Sequence, residues 1–208
     1  MKVTSRRIRA ACLAIAAMSP VSLVVADTPV TPTLISKSAP SSTQPAVVIS
    51  TNISEAEVLN AQRAWGDALV AISTTYEQKG KAAAKQLAGQ IIDQAYGYQF
   101  GTVLFKPTLT STPQTFRTTR AGALAYFVGD DPAYPNDTGF ALKGWRKVEV
   151  QNASIFIDSD SAISMGNVIF TDKSGNITTV DKTWGYRKDA NGTLRIVLHH
   201  SSLPYSNK

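Results

Sequence analysis

The stretch Trp145–Ser202 reads WRKVEVQNASIFIDSDSAISMGNVIFTDKSGNITTVDKTWGYRKDANGTLRIVLHHSS, and its punctuation decides the fold. Val, Ile, Thr and aromatic residues, which fit a pleated half-buried surface, recur between short polar clusters. Lys173-Ser174-Gly175-Asn176 and Asp189-Ala190-Asn191-Gly192 are hairpin signals, because Asn and Gly accept the left-handed backbone of tight turns. Four strands are therefore expected, over about Trp145–Ile157, Ala162–Thr171, Ile177–Arg187 and Leu194–Ser202. Upstream, a loop over 129–139 is rich in Asp, Pro and Asn. A short helix is expected over Arg120–Phe127, and a further strand over Phe100–Phe105 that Pro107 interrupts.

Further toward the N-terminus the period changes from two to three and four. Ser54-Glu55-Ala56-Glu57 is a capping box, with Ile53 and Val58 able to staple across it. Val58, Ala61, Trp65, Leu69, Ile72 and Tyr76 then form one helical stripe, which Gly80 ends. A second helix carries Ala84, Leu87, Ala88, Ile91 and Ala95 and stops at Gly97. Two helices followed by a meander predict an α+β domain over 53–208, its N-terminal helices packed on a strongly curved antiparallel sheet. This order is similar to the cone-shaped fold of nuclear-transport-factor-2-like proteins.

The first 26 residues read as an export segment. Lys2, Arg6, Arg7 and Arg9 precede an uncharged apolar run from Ala10 to Ala26, and Val24 and Ala26 suit cleavage after Ala26. Pro20 interrupts the run, which argues against a membrane anchor. Export to the periplasm or beyond the cell is expected, with no membrane contact after cleavage. Residues 27–52, rich in Pro, Ser, Thr and Val, read as a linker that cannot bury enough apolar surface to order itself.

Cleavage changes the charge argument. The chain has 21 Lys and Arg against 15 Asp and Glu. Removing Lys2, Arg6, Arg7 and Arg9 leaves 17 against 15, near +2, so the basic balance does not point to nucleic acid. Cys12 is the one cysteine and leaves with the same segment, taking thiolate chemistry and disulfides with it.

The mature chain keeps two histidines, the adjacent His199 and His200. Neighbouring side chains on a strand point to opposite faces, so one ion cannot take both imidazoles from a regular strand. With no cysteine, a zinc or manganese site lacks support from the ligand count, and no cofactor is expected. No nucleophile elbow and no phosphate-binding glycine loop is present. On the last strand Arg195, Val197, His199 and Ser201 share one face, and Leu194, Ile196, Leu198, His200 and Ser202 the other. The second face is the more apolar, so alternation alone turns His200 and Ser202 inward. Trp145, Trp184 and Tyr186 read as core residues on their strands.

The run His199-His200-Ser201-Ser202-Leu203-Pro204, closing a two-helix-plus-meander domain, resembles the iota-class carbonic anhydrases. Phe105-Lys106-Pro107-Thr108, the segment Arg120 to Phe127 and Trp184-Gly185-Tyr186 fit the same family, and the resemblance spans Ile53 to Pro204. It implies reversible hydration of carbon dioxide to bicarbonate and a proton. It also implies a pocket in which Thr108, Tyr126 and Ser201 supply hydroxyls with His199 beside them, so it selects the His199/Ser201 face. In that pocket Phe105, Phe127 and Trp184 would form apolar walls, and His199 would serve as base or proton shuttle. Tyr126 is a weaker base, since its phenol would need a large downward pKa shift. Homodimerisation is expected by analogy with such cones. The competing readings are a small-ligand-binding or association module of the same fold without catalysis, and a cyclase or isomerase. The latter needs an inward carboxylate, for which Asp158, Asp160 and Asp181 are the positions to inspect.

Overall fold

The structure, a computed structural model, describes residues 51–206. The export segment expected over 1–26, and all but the last two residues of the linker expected over 27–52, lie outside the described residues. The first helix, α1 (Glu55–Ala95), starts at the expected capping box. The Ser54 hydroxyl accepts from the Glu57 N–H, and the Glu57 carboxylate takes the Ser54 N–H at 2.7 Å. Ile53 and Val58 are both buried beneath this cap.

Gly80, at φ 80 and ψ 178, divides α1 into the two expected helical segments. An L side chain rarely adopts that backbone, so glycine is the residue that permits the break. The buried stripe of the first segment differs in detail from the expected one. Tyr76 is exposed, whereas Gln62, Gly66 and Ser73 are buried. Gly66 faces β2 (Trp145–Asp158), where a Cβ would stand 3.1 Å from the Val148 side chain, so the helix turns its small residue toward the sheet.

The remaining strands are β1 (Leu104–Lys106), β3 (Ser161–Asp172), β4 (Ile177–Lys188) and β5 (Leu194–Ser202), in the sheet order β1-β5-β4-β3-β2. The four meander strands match the expected ranges to within a residue at each end. At the two hairpin turns the carboxylates of Asp172 and Asp189 accept backbone N–H groups from Ser174 and Asn176, and from Asn191 and Thr193. The helix α2 (Arg120–Val128) also falls where it was expected.

Two expectations need correction. The strand expected over Phe100–Phe105 is a 3-10 turn over Tyr98–Phe100 followed by the short β1. The sheet is also mixed rather than wholly antiparallel, because β1 runs parallel to β5 with Phe105 opposite His199. Parallel neighbours need a long crossover, and here the chain between them includes α2 and the other three strands.

The sheet is curled. Strands β2 and β5 lie three steps apart, about 14 Å in a flat sheet, yet α1 packs against both. A bulge in β2 between Asn152 and Ser154 provides part of the bend. Gly166 sits opposite it, where a Cβ would lie 2.1 Å from the Gln151 carbonyl oxygen. The concave face then holds one aromatic core that includes Trp65, Tyr96, Phe105, Phe127, Phe170 and Trp184.

Candidate functional site

The last strand presents its polar residues to the concave side through an irregularity in its pairing with β4. Tyr186 pairs with Ile196 and Gly185 with Leu198, which leaves Val197 as an extra residue on β5. Strict alternation fails there, because an inserted residue shifts all later side chains to the other face. Ile196 points inward before the bulge, and His199 and Ser201 point inward after it, at 2% and 1% exposure. His200 is exposed. The inward His200 that alternation predicts is thereby overturned, and the His199/Ser201 face is the buried one. Gly185 accommodates the shift, since a Cβ there would meet the Leu198 Cβ at 3.0 Å.

Three of the expected hydroxyls converge beside β1. The Thr108 hydroxyl donates to Ser201 Oγ at 2.6 Å. Tyr126, from α2, lies beside Thr108 and the Leu109 backbone, which counter part of the effect of burial on its phenol. Lys106 Nζ donates to the Ser201 carbonyl at 2.9 Å, fixing the end of β5 against β1. Burial raises the Tyr126 pKa above that of a free phenol, so the group stays protonated and acts as hydrogen-bond donor rather than base. Phe105 meets Tyr126 edge-on at 5.7 Å and stacks on Phe127 at 5.9 Å, supplying the apolar side of this cluster.

His199 stands on the other side of Phe105, whose ring centroid is 4.3 Å away. Its two ring nitrogens are both engaged. Nδ1 lies 2.8 Å from the Tyr96 hydroxyl, and Nε2 lies 2.5 Å from Lys182 Nζ. The Trp65 indole N–H donates to Tyr96 Oη at 3.0 Å. Burial, then the neighbouring Lys182 and His200, push the His199 pKa well below its ordinary value. The imidazole is therefore neutral near pH 7, and neither ring nitrogen is open toward Thr108 or Ser201. Trp184 belongs to this second group, with ring contacts to Trp65 and His199.

Sequence reasoning missed Tyr96, Trp65 as a hydrogen-bond donor, and Lys182. The signal for Lys182 was present. It occupies the same inward register as Val180, Trp184 and Tyr186, a position where an unpaired lysine is out of place. Burial holds its pKa well below the usual lysine range.

A buried ion pair braces the approach to the hydroxyls. Arg117 binds Asp137 through two parallel hydrogen bonds, Nε to Oδ2 at 3.0 Å and Nη2 to Oδ1 at 2.7 Å. Both side chains are 3% exposed. The Arg117 N–H also donates to the Phe105 carbonyl, and its guanidinium lies over the Tyr134 ring at 4.6 Å. Loop 107–119 is thereby tied to loop 129–139 and to β1.

The carboxylate positions that a cyclase or isomerase would use face elsewhere. Asp158 and Asp181 are exposed, and Asp160 pairs with Arg187 at 2.8 Å. Among the described residues no three His, Cys, Asp or Glu side chains gather into a metal-ligating group.

A family model described as metal-independent carbonic anhydrase matches residues 56–203. A metal-independent carbonic anhydrase from Nostoc sp. (strain PCC 7120 / SAG 25.82 / UTEX 2576) is 68% identical over 158 residues, which cover 76% of this chain and 77% of that protein. The crystal structure of the iota-carbonic anhydrase from a cyanobacterium complexed with bicarbonate superposes with a TM-score of 0.76 at 68% identity, covering 77% of this chain and 98% of that one. A proposed calcium/calmodulin-dependent protein kinase II association domain from Xanthomonas campestris, 20% identical, covers 76% of this chain and 92% of its own with a TM-score of 0.50, a likeness of fold alone.

Proposed function

This chain belongs to the metal-independent carbonic anhydrase family, and we propose that it carries out the family's reaction, reversible hydration of carbon dioxide to bicarbonate and a proton, at the Thr108–Ser201–Tyr126 cluster. The observation that carries the assignment of place is the convergence of three hydroxyls from β5, α2 and the segment after β1 on one point beside Phe105. Such a cluster suits a planar, three-oxygen product. Hydroxyls donate or accept as the partner requires, so one set of groups can hold a water before the reaction and bicarbonate after it. Ser201 accepts the Thr108 proton and keeps its own for an oxygen of the product. The protonated Tyr126 phenol offers a second donor. Phe105 and Phe127 form the apolar side against which carbon dioxide would rest.

No cofactor enters this scheme, in keeping with the family's metal-independent chemistry. Without a metal to acidify water, the attacking water must lose its proton to a protein base as the C–O bond forms. Stopped-flow hydration of carbon dioxide, before and after exhaustive chelation with metal analysis, tests the reading. Turnover that survives metal removal is expected. Turnover that vanishes and returns with one ion would overturn the metal-free scheme, and none under either condition would leave a binding module of the same fold.

Export and pairing complete the proposal. The apolar run ending at Ala26 supports cleavage and a mature chain beginning at Asp27, periplasmic or secreted. The convex face of the sheet exposes Phe156, Ile163 and Met165 side by side on β2 and β3, which supports a homodimer through that face. Native mass spectrometry of the protein as recovered from cells reads both at once. Twice the mass of a chain starting at Asp27 is expected; a monomer, or a chain keeping its first 26 residues, would contradict the corresponding half.

A further inference from the structure

The hydrogen bonds around His199 can be assigned one by one, and the assignment determines the state of Lys182. The Trp65 indole is a donor only, so Tyr96 Oη accepts from it. Among the described residues the Tyr96 proton then has one acceptor, His199 Nδ1 at 2.8 Å. With Nδ1 accepting, the ring proton of the neutral imidazole lies on Nε2 and points at Lys182 Nζ, 2.5 Å away. Two donors cannot face each other at that distance, so Lys182 must accept and is a free amine. The Trp65 indole N–H, the Tyr96 hydroxyl and both His199 nitrogens are then satisfied, and the amine lies against the Trp65 and Trp184 rings.

We infer that Lys182 is the proton acceptor at the buried end of this site: a resting amine that takes up the proton released by hydration and holds it against the indole faces of Trp65 and Trp184. The inference rests on the carbonic anhydrase reading above. Lys182 and Ser201 are register partners on β4 and β5, so both side chains leave the sheet on the concave side. The step balances without electron transfer. An O–H bond of water breaks and its oxygen forms the new C–O bond of bicarbonate; the released proton passes to Tyr96 Oη as the Tyr96 proton moves to His199 Nδ1 and the Nε2 proton moves onto the Lys182 lone pair. Loss of that proton to a solvent buffer closes the cycle.

The two protonation states differ by a tautomer shift as well as a charge. As an ammonium, Lys182 donates to His199 Nε2, the ring proton moves to Nδ1, and the Tyr96 O–H loses its acceptor. Against that lost hydrogen bond stand two cation–π contacts, with Nζ 4.8 Å from the Trp65 ring and 5.2 Å from the Trp184 ring. Opposing effects of this kind suit a group that must both gain and release a proton. The titratable groups facing it are His199 from β5 and, through His199, Tyr96 at the residue after α1, with His200 on the opposite face of β5. Burial is the cause of the lowered Lys182 pKa.

Lys182→Met tests the inference. In weakly buffered stopped-flow assays it should lose about 10²-fold in kcat, with much of the loss recovered by concentrated imidazole buffer that leaves the wild type unaffected. Its Tm should equal or exceed that of the wild type, because a buried polar group becomes apolar. An active wild type matched by Lys182→Met in weak buffer overturns the inference. An inactive wild type instead removes the reading on which it rests. Nitrogen-15 spectra of the histidine rings in the full-length wild type decide independently of activity. His199 should carry its proton on Nε2 at alkaline pH and on Nδ1 as the pH falls; a proton on Nδ1 at every pH would mean a permanent ammonium at Lys182 and overturn it.

Discussion

Ser201→Ala is expected to lower carbon dioxide hydration by about 10²–10³-fold, the usual cost of deleting one preorganised donor at a site of developing charge, while the protein stays folded. Ser201 Oγ is the acceptor for Thr108 and the one hydroxyl of the cluster borne on the strand that also carries His199. Removing it leaves Thr108 without that acceptor and the product oxygen without a donor. The stability cost is small by comparison. Thr108 is half-buried and can turn to water, so about 1 kcal/mol is lost for the deleted hydrogen bond. Steady-state hydration rates set beside a thermal melt separate the two effects. A variant with wild-type turnover would remove the hydroxyl cluster as the reaction site, and one that failed to fold would show that Ser201 is structural.

Arg117→Ala is expected to cost about 3–5 kcal/mol of stability, the range for stripping one partner from a buried ion pair. At about 2–4 °C per kcal/mol for a chain of this size, the melting temperature should fall by roughly 6–20 °C. The reason lies with what remains. Asp137 keeps its buried carboxylate but loses both guanidinium hydrogen bonds. Arg117→Lys should recover only part of the loss, because an ammonium cannot make two parallel bonds to one carboxylate. Activity should fall with stability, since the same side chain ties Asp137 to the Gln114 carbonyl and lies over the Tyr134 ring, joining the two loops beside the hydroxyls. A melt within about 2 °C of wild type would mean that water replaces the guanidinium without cost, contrary to the burial observed.

The legibility of this protein in its sequence divides along the range of the interactions involved. The capping box at Ser54, the break at Gly80 and the turns at Asp172–Asn176 and Asp189–Thr193 were readable because each is a contact among residues a few positions apart. Thr108, Tyr126 and Ser201 could be named through resemblance, but their spacing carries no period that would bring them together. Arg117 gave no signal, lying in a polar run without periodicity. Lys182 gave one, a charged residue in the inward register of Val180, Trp184 and Tyr186.

The sequence by itself determined the cap and break of α1, the place of α2 and the bounds of the four meander strands to within a residue, and that residues 51–206 hold two histidines and no cysteine. Only the tertiary structure decided which of two adjacent histidines is buried. That choice rests on the extra residue Val197, which exists as a bulge only relative to the pairing of Gly185 and Tyr186 on the neighbouring strand. The parallel docking of β1 on β5, the convergence of the hydroxyls and the uncharged state assigned to Lys182 arise in the same way. Each depends on groups far apart in the chain that meet where water is excluded, and a hydrogen bond or a proton's position there is fixed by the neighbour across the gap.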